Sequence, residues 1–221
     1  MVNDASNPQD VVVCAAGGMP GDLLKLWRTE DPKGYHVEYG YSCMGYEIAG
    51  GLGVKMAMPD REVFIMVGDG SYLMLHTEIV TAVQEGQKLI IVLVDNSGFQ
   101  CIRGLQMNSG SPSFGNELRF REDTTNALTG AFVPVDFAKN AESLGARAIA
   151  ATTPDEFRSA LEEAKAESRT TLIYVRVDTE GRVPNYEGWW DVPIAEVSDE
   201  ESVREARAQY EEDIQKQRLF V

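Results

Sequence analysis

The sequence predicts a doubly wound α/β fold built on a parallel sheet. Three observations lead there. Of five strand-like runs, two are almost continuously apolar, as strands covered on both faces are. Helix-like patterns fall between the runs, so strand and helix alternate. Of the 221 residues, 43% are hydrophobic, enough for one sizeable core.

Taken in order, the first strand is "VVVCAA" at 11–16. The stretch "GGLG" at 50–53 resembles part of a dinucleotide fingerprint, but it lacks the third glycine at the required spacing and follows no clear strand. It reads as close helix packing. The second strand, "EVFIMV" at 62–67, leads into a helix over 72–85, where Tyr72, Leu75, Ile79, Val80 and Val83 recur at helical spacing. "LIIVLV" at 89–94 is the third strand. The segment 96–135 is long and rich in Gly, Ser and Asn, and a connection of that length inside a compact domain is usually functional. "RAIAA" at 147–151 and "TLIYVRV" at 171–177 complete the strands. Between them, "TPDEFRSALEEAKAES" starts with Thr153 as N-cap, Pro154 at the first helical position and acids in the first turn. The tail 182–197, with two tryptophans between prolines, reads as an extended arm, and 198–219 as a charged helix that is solvated or packed on a partner. The expected organisation is a polar leader at 1–9, a main domain at 10–181, and an arm with its helix at 182–221.

The net charge of −15 argues against nucleic acid and anionic membrane surfaces as partners. No run of about 18 apolar residues is present, so no membrane span is expected, and the polar start does not read as a signal peptide. Cys14, Cys43 and Cys101 are far apart and odd in number, with no C-x-x-C, which points to a reducing, cytoplasmic setting. Each reads as a small buried hydrophobe.

The chemistry concentrates in "VGDGSYLMLHTEIVTA" at 67–82. In an open parallel sheet, ligands sit beyond the carboxyl ends of the strands. Asp69 lies there, flanked by Gly68 and Gly70, which let the backbone turn and approach a ligand. A helix starting near Ser71 favours an anion such as phosphate. A carboxylate beside a phosphate needs a cation between them, which suggests Mg²⁺. One helix and one strand later, the chain returns to the same edge with Asp95 and Asn96. The Asn96 amide oxygen and the Gly98 carbonyl can complete the protein share of the coordination, and Ser71 can touch phosphate or metal. Alone, a Gly-Asp-Gly is also an ordinary turn, and no G-x-x-x-x-G-K-[ST] is present.

The pair Gly-Asp-Gly and Asn resembles the diphosphate and magnesium motif of thiamine diphosphate enzymes. "EYGYSCMGYEIAGGLGVKMA" at 38–57 is similar to the segment that holds the aminopyrimidine ring in the acetolactate-synthase-like branch. The resemblance implies that Met44 wedges the cofactor into its bent shape, while the Ser42 carbonyl and the Met44 amide hold the ring. A narrower likeness, carried by residues 10–57, "CIRGLQM", "SFGNELRF" and "VPNYEGWWDVPIAEVS", is to the hydrolases of inositol catabolism that open the ring of a trihydroxycyclohexanedione. Ser97 departs from the larger polar residue expected there.

This resemblance implies a small-molecule substrate, cleavage of a C–C bond by water, and a site split between two domains. No segment matches the pyrimidine-binding domain that carries the activating glutamate, so a partner domain or subunit and a homo-oligomer are expected, and the chain alone should be inactive. His36 is a candidate catalytic residue because it lies just before the Met44 segment. Arg103 is a candidate for meeting hydroxyls or a developing oxyanion, with Phe99, Gln100 and Cys101 also able to face substrate. His76 reads as structural. The alternatives are a domain of another acetolactate synthase or 2-oxoacid decarboxylase, and a non-catalytic cofactor-binding or assembly module.

Overall fold

A computed structural model describes the chain except for residue 182, residues 185–190 and residues 219–221. The element order is α1 (Val2–Ala5), β1 (Val11–Cys14), α2 (Gly18–Leu26), β2 (Tyr35–Val37), α3 (Tyr46–Ala57), β3 (Val63–Gly68), α4 (Asp69–Met74) and α5 (Glu78–Gln84). It continues with β4 (Ile90–Asp95), α6 (Gln100–Asn108), α7 (Phe137–Ser143), β5 (Arg147–Ala151), α8 (Pro154–Ala166), β6 (Thr171–Arg176) and α9 (Glu201–Gln215). The strands form one sheet in the order β2-β1-β3-β4-β6-β5. Every pairing is parallel.

Parallel pairing requires a crossover after each strand, and helices on both faces bury alternate side chains. On one face, Ile65, Val67, Ile91 and Leu93 pack with Ile48 and Leu52 of α3, Tyr72, Ile79, and Phe137 of α7. On the other, Phe64, Ile90, Val92 and Ile173 pack with Ala160, Leu161 and Ala164 of α8 and with Val2. Each fully buried Ile or Leu contributes about 1.5–3 kcal/mol by leaving water. The expected double winding is therefore present, and the segment expected as a polar leader is docked through Val2.

The glycine pair in α3 is needed for packing. A Cβ at Gly51 would lie 2.3 Å from Ile65 Cδ1, and one at Gly50 would lie 2.3 Å from the Tyr46 ring. Gly51 lets the helix come this close to the sheet, and Gly50 makes room for the Tyr46 ring of the same helix. Thr153 and Glu156 form the reciprocal cap expected at the start of α8.

Three expectations are corrected. The short strand β2 carries only three residues, Tyr35, His36 and Val37, too few for its pattern to stand out in the sequence. The helix expected over 72–85 is two helices, starting at Asp69 and broken after Met74, where Leu75 takes φ −154 and ψ 76. That break resets the helical period, so Tyr72 and Ile79 are fully buried while Leu75, Val80 and Val83 are exposed. Of the cysteines, Cys14 is buried, Cys101 is half-buried and Cys43 is exposed. The segment 96–135 contains α6 and a run of isolated bridges, Gly98–Glu117, Arg119–Phe132 and Glu122–Ala127. Residues 182 and 185–190 of the expected arm, its two tryptophans among them, lie outside the described residues. The charged helix α9 is present and sets Val203 against Gly110, where a Cβ would lie 2.3 Å from the Ser202 carbonyl oxygen.

Candidate functional site

The chain leaves β1 in one direction to form β2, then crosses back to form β3, so the sheet order reverses beside β1. Such a reversal opens a crevice beyond the carboxyl ends of the strands. Gly68 of β3 is in register with Val94 of β4. The next residues along, Asp69 and Asp95, thus come level, and Asn96 follows at once.

Asp69 is fully buried, and its Oδ2 has no hydrogen-bond partner among the described residues. Its pKa is pushed from 3.8 up to about 6, first by burial and then by the charge of Asp95; the amides of Gly98, Gly70 and Asn96 offset part of this. One polar atom of the Asn96 amide lies 3.1 Å from Asp69 Oδ1 and 2.9 Å from the Gly98 carbonyl oxygen. With nitrogen in that place the amide donates to both oxygens, the arrangement that suits the chain with no cation. With oxygen there, three oxygens share one corner, and a bound cation relieves their repulsion. Adjacent oxygens in an octahedron with arms of 2.0–2.1 Å are about 3.0 Å apart, which is the spacing the Asn96 atom already has to each of the other two.

Neighbouring bonds hold that corner in place. Tyr174 Oη donates to Asp95 Oδ2 at 2.6 Å, and the Ser97 N–H donates to Asp95 Oδ1 at 2.9 Å. Ser97 sits at φ 63, a conformation few non-glycine residues adopt. Gly98, at φ 139, admits no Cβ, which would lie 2.3 Å from the Asn116 carbonyl oxygen. Gln100 is buried and donates from Nε2 to the Asn96 carbonyl at 3.0 Å. It supports the Asn96 backbone from within the protein. One carboxylate, one amide and one carbonyl form a hard-oxygen set that suits a divalent cation.

Gly68 and Gly70 play different parts from those the sequence suggests. Neither adopts a positive φ, so the turn does not require them for conformation. A Cβ on Gly68 would meet open space, whereas one on Gly70 would lie 2.6 Å from the Phe99 ring. Gly68 keeps the approach to the turn clear, and Gly70 lets Phe99 cover it. The Ser71 hydroxyl faces inward. It bonds Glu47 Oε1 at 2.8 Å and Oε2 at 2.7 Å, and accepts the Gly45 N–H at 2.7 Å. Its side chain is thus taken up within the protein.

The segment resembling a ring support lies next to this turn. Ser42 is exposed at φ 51, Met44 is half-buried, and Gly45 at φ 89 would bring a Cβ within 2.9 Å of Leu75 Cβ. Ser42 and Ser97, two of the three non-glycine residues at positive φ among the described residues, both lie in segments that the sequence marks as cofactor candidates.

His36 lies on the edge strand β2, stacked on Tyr46 at 5.7 Å with Nε2 2.7 Å from the Tyr46 hydroxyl. Arg103 does not present a free charge. It pairs with Glu180 at 2.8 Å and Glu117 at 3.7 Å, which ties α6 to the following loop and to the segment after β6. His76 stacks on Tyr72 at 5.0 Å and contacts the Tyr72 carbonyl, in keeping with a structural place. Sequence reasoning passed over Glu47. Its signal was there, as one ionisable residue inside the otherwise apolar "MGYEIAGG".

The sequence matches, over residues 15–175, the family described as thiamine pyrophosphate enzyme, C-terminal TPP binding domain. It is 45% identical over 219 residues to 3D-(3,5/4)-trihydroxycyclohexane-1,2-dione hydrolase 2 of Bacillus cereus, covering 99% of this chain and 34% of that protein. It is 48% identical over 219 residues to the protein of the same base name from Geobacillus thermodenitrificans, with the same coverage of 99% and 34%. The chain thus spans about a third of the length of these relatives. Among solved structures, benzoylformate decarboxylase from Polynucleobacter necessarius superposes with a TM-score of 0.69 at 19% identity, covering 82% of this chain and 33% of that one. The thiamine diphosphate-dependent 4-hydroxybenzoylformate decarboxylase of Rhodococcus jostii RHA1 gives 0.66 at 23% identity, covering 81% and 31%. These two likenesses establish the fold. With most of its length matched to one family, the chain belongs to the thiamine pyrophosphate enzymes, as their C-terminal TPP-binding domain.

Proposed function

We propose that this chain is the thiamine diphosphate and Mg²⁺ anchor of a hydrolase that opens the ring of a trihydroxycyclohexane-1,2-dione in inositol catabolism. The observation that carries the anchor is the corner of Asp69, Asn96 and Gly98, with its buried, unpartnered carboxylate oxygen. The substrate class rests on the identity to relatives of that name.

In this reading Asp69, Asn96 and the Gly98 carbonyl hold Mg²⁺. The backbone around Gly68, Gly70 and Ser71 receives the diphosphate, and the Ser42 carbonyl and Met44 hold and prop the ring. Bound thiamine diphosphate supplies an electron sink for breaking a carbon–carbon bond. Phe99, packed on Gly70, screens the turn from water. The chain spans about a third of the length of its relatives. In this reading the activating carboxylate comes from a pyrimidine-binding domain or subunit, in an oligomeric, cytoplasmic enzyme. Exposed Leu73, Met74 and Leu75 beside the site, with Met56 on α3, suit such a partner.

The test is reconstitution. The chain is mixed with a pyrimidine-binding domain, thiamine diphosphate and Mg²⁺, and offered either the cyclic dione or pyruvate. Hydrolysis of the dione alone is expected. Turnover of pyruvate alone would reassign the chain to a decarboxylase or synthase. Cofactor binding with no turnover of either would favour a non-catalytic module.

A further inference from the structure

Glu47 is 1% exposed, and no cationic side chain forms an ion pair with it among the described residues. A buried carboxylate without a cation is costly unless hydrogen bonds satisfy it. Its contacts reach three segments. Oε1 takes the Ser71 hydroxyl at 2.8 Å and a long bond of 3.5 Å from the Ala16 N–H at the end of β1. Oε2 takes the same hydroxyl at 2.7 Å and the Gly45 N–H at 3.2 Å. Gly45 also donates to the Ser71 hydroxyl at 2.7 Å, which closes a ring of three groups.

A carboxylate serving only as a helix cap would spend its bonds on the first turn of its own helix. Glu47 takes the Gly45 N–H at the N-cap of its own helix, but it also binds across to Ser71 of α4 and to Ala16 just past β1. Ser71 lies two residues after Asp69, in the turn that anchors the charged end of the cofactor. Gly45 directly follows Met44, in the segment that supports the ring. Among the described residues, Glu47 is the one side chain that bonds both.

We propose that Glu47 is a positioning residue that locks the Met44–Gly45 loop to the Gly-Asp-Gly-Ser turn, holding the ring support and the diphosphate anchor at the spacing one thiamine diphosphate molecule needs. This rests on the cofactor reading above. Two ligand halves held at a fixed spacing gain affinity because the protein has already lost the freedom to misplace them.

The experiment compares two ligands on the same chain, thiamine diphosphate and inorganic pyrophosphate, each with Mg²⁺, by calorimetry. Pyrophosphate occupies the anchor alone, so the ratio of the two affinities reads the spacing. Glu47→Gln keeps the size but turns an N–H₂ toward N–H donors. The expected result is a ratio lowered about tenfold, the scale of a lost charge-assisted bond, with pyrophosphate affinity changed less than about threefold. A role in folding alone would weaken both ligands alike and leave the ratio unchanged, which would overturn the proposal. Should Glu47→Gln fail to fold, Glu47→Asp, which withdraws the carboxylate by one methylene, is read in the same way. If the parent chain binds neither ligand, the cofactor reading falls, and the clamp falls with it.

Discussion

The side chains of Asp69 and Asn96 meet at 3.1 Å across the carboxyl ends of two neighbouring strands. Register brings them there. Once Gly68 pairs with Val94, each strand delivers its polar terminus to the same level. The buried carboxylate is an unfavourable arrangement without a cation, and that cost should be measurable.

Asp69 gives the first prediction. Its folded pKa of about 6 lies above its ordinary 3.8, so the folded chain holds this proton more tightly than the unfolded chain. The associated stability is present below pH 3.8 and is lost as pH rises through about 6. Two pKa units correspond to about 3 kcal/mol. Metal-free Asp69→Asn should therefore be more stable than the parent at pH 7, by up to about 3 kcal/mol, and the gap should close at pH 4. Denaturant midpoints at the two pH values check this. Added Mg²⁺ should stabilise the parent at pH 7 and leave the variant unchanged.

Two glycine variants should separate folding from binding. Gly98→Ala puts a Cβ 2.3 Å from a backbone oxygen at φ 139, so it should lower the melting temperature, by an amount matching at least about 2 kcal/mol. Gly68→Ala meets open space at φ −80, so it should melt like the parent while weakening cofactor binding. Equal melting temperatures for the two variants would contradict the roles assigned to them.

Tyr174→Phe removes the donor to Asp95 Oδ2 and leaves a carboxylate oxygen unpaired. A loss of about 1–3 kcal/mol in stability is expected. Divalent affinity should fall about 10–100-fold, because Asp95 also fixes the turn at Ser97. Calorimetric Mg²⁺ titration in the presence of thiamine diphosphate would show it. Unchanged affinity would mean that the Asp95 bonds do not orient the ligands.

Much of this site was legible in the sequence because its chemistry follows strand ends. The runs at 62–67 and 89–94 became β3 and β4 within one residue, and a parallel sheet then forces Asp69 and Asn96 to one edge. The pairing of Arg103 was not legible, because its partners Glu117 and Glu180 lie on later, irregular segments. Two glycines around an aspartate suggested a special turn, whereas the structure uses them for space. Glu47 escaped notice because its partners Ala16 and Ser71 come from two other crossovers.

The most direct test is calorimetric titration of the chain with thiamine diphosphate, with and without Mg²⁺, for the parent and Asn96→Ala. The account predicts binding by the parent that depends on Mg²⁺ and is at least about tenfold weaker in the variant. Affinity that is the same with or without Mg²⁺, or untouched by Asn96→Ala, would contradict it.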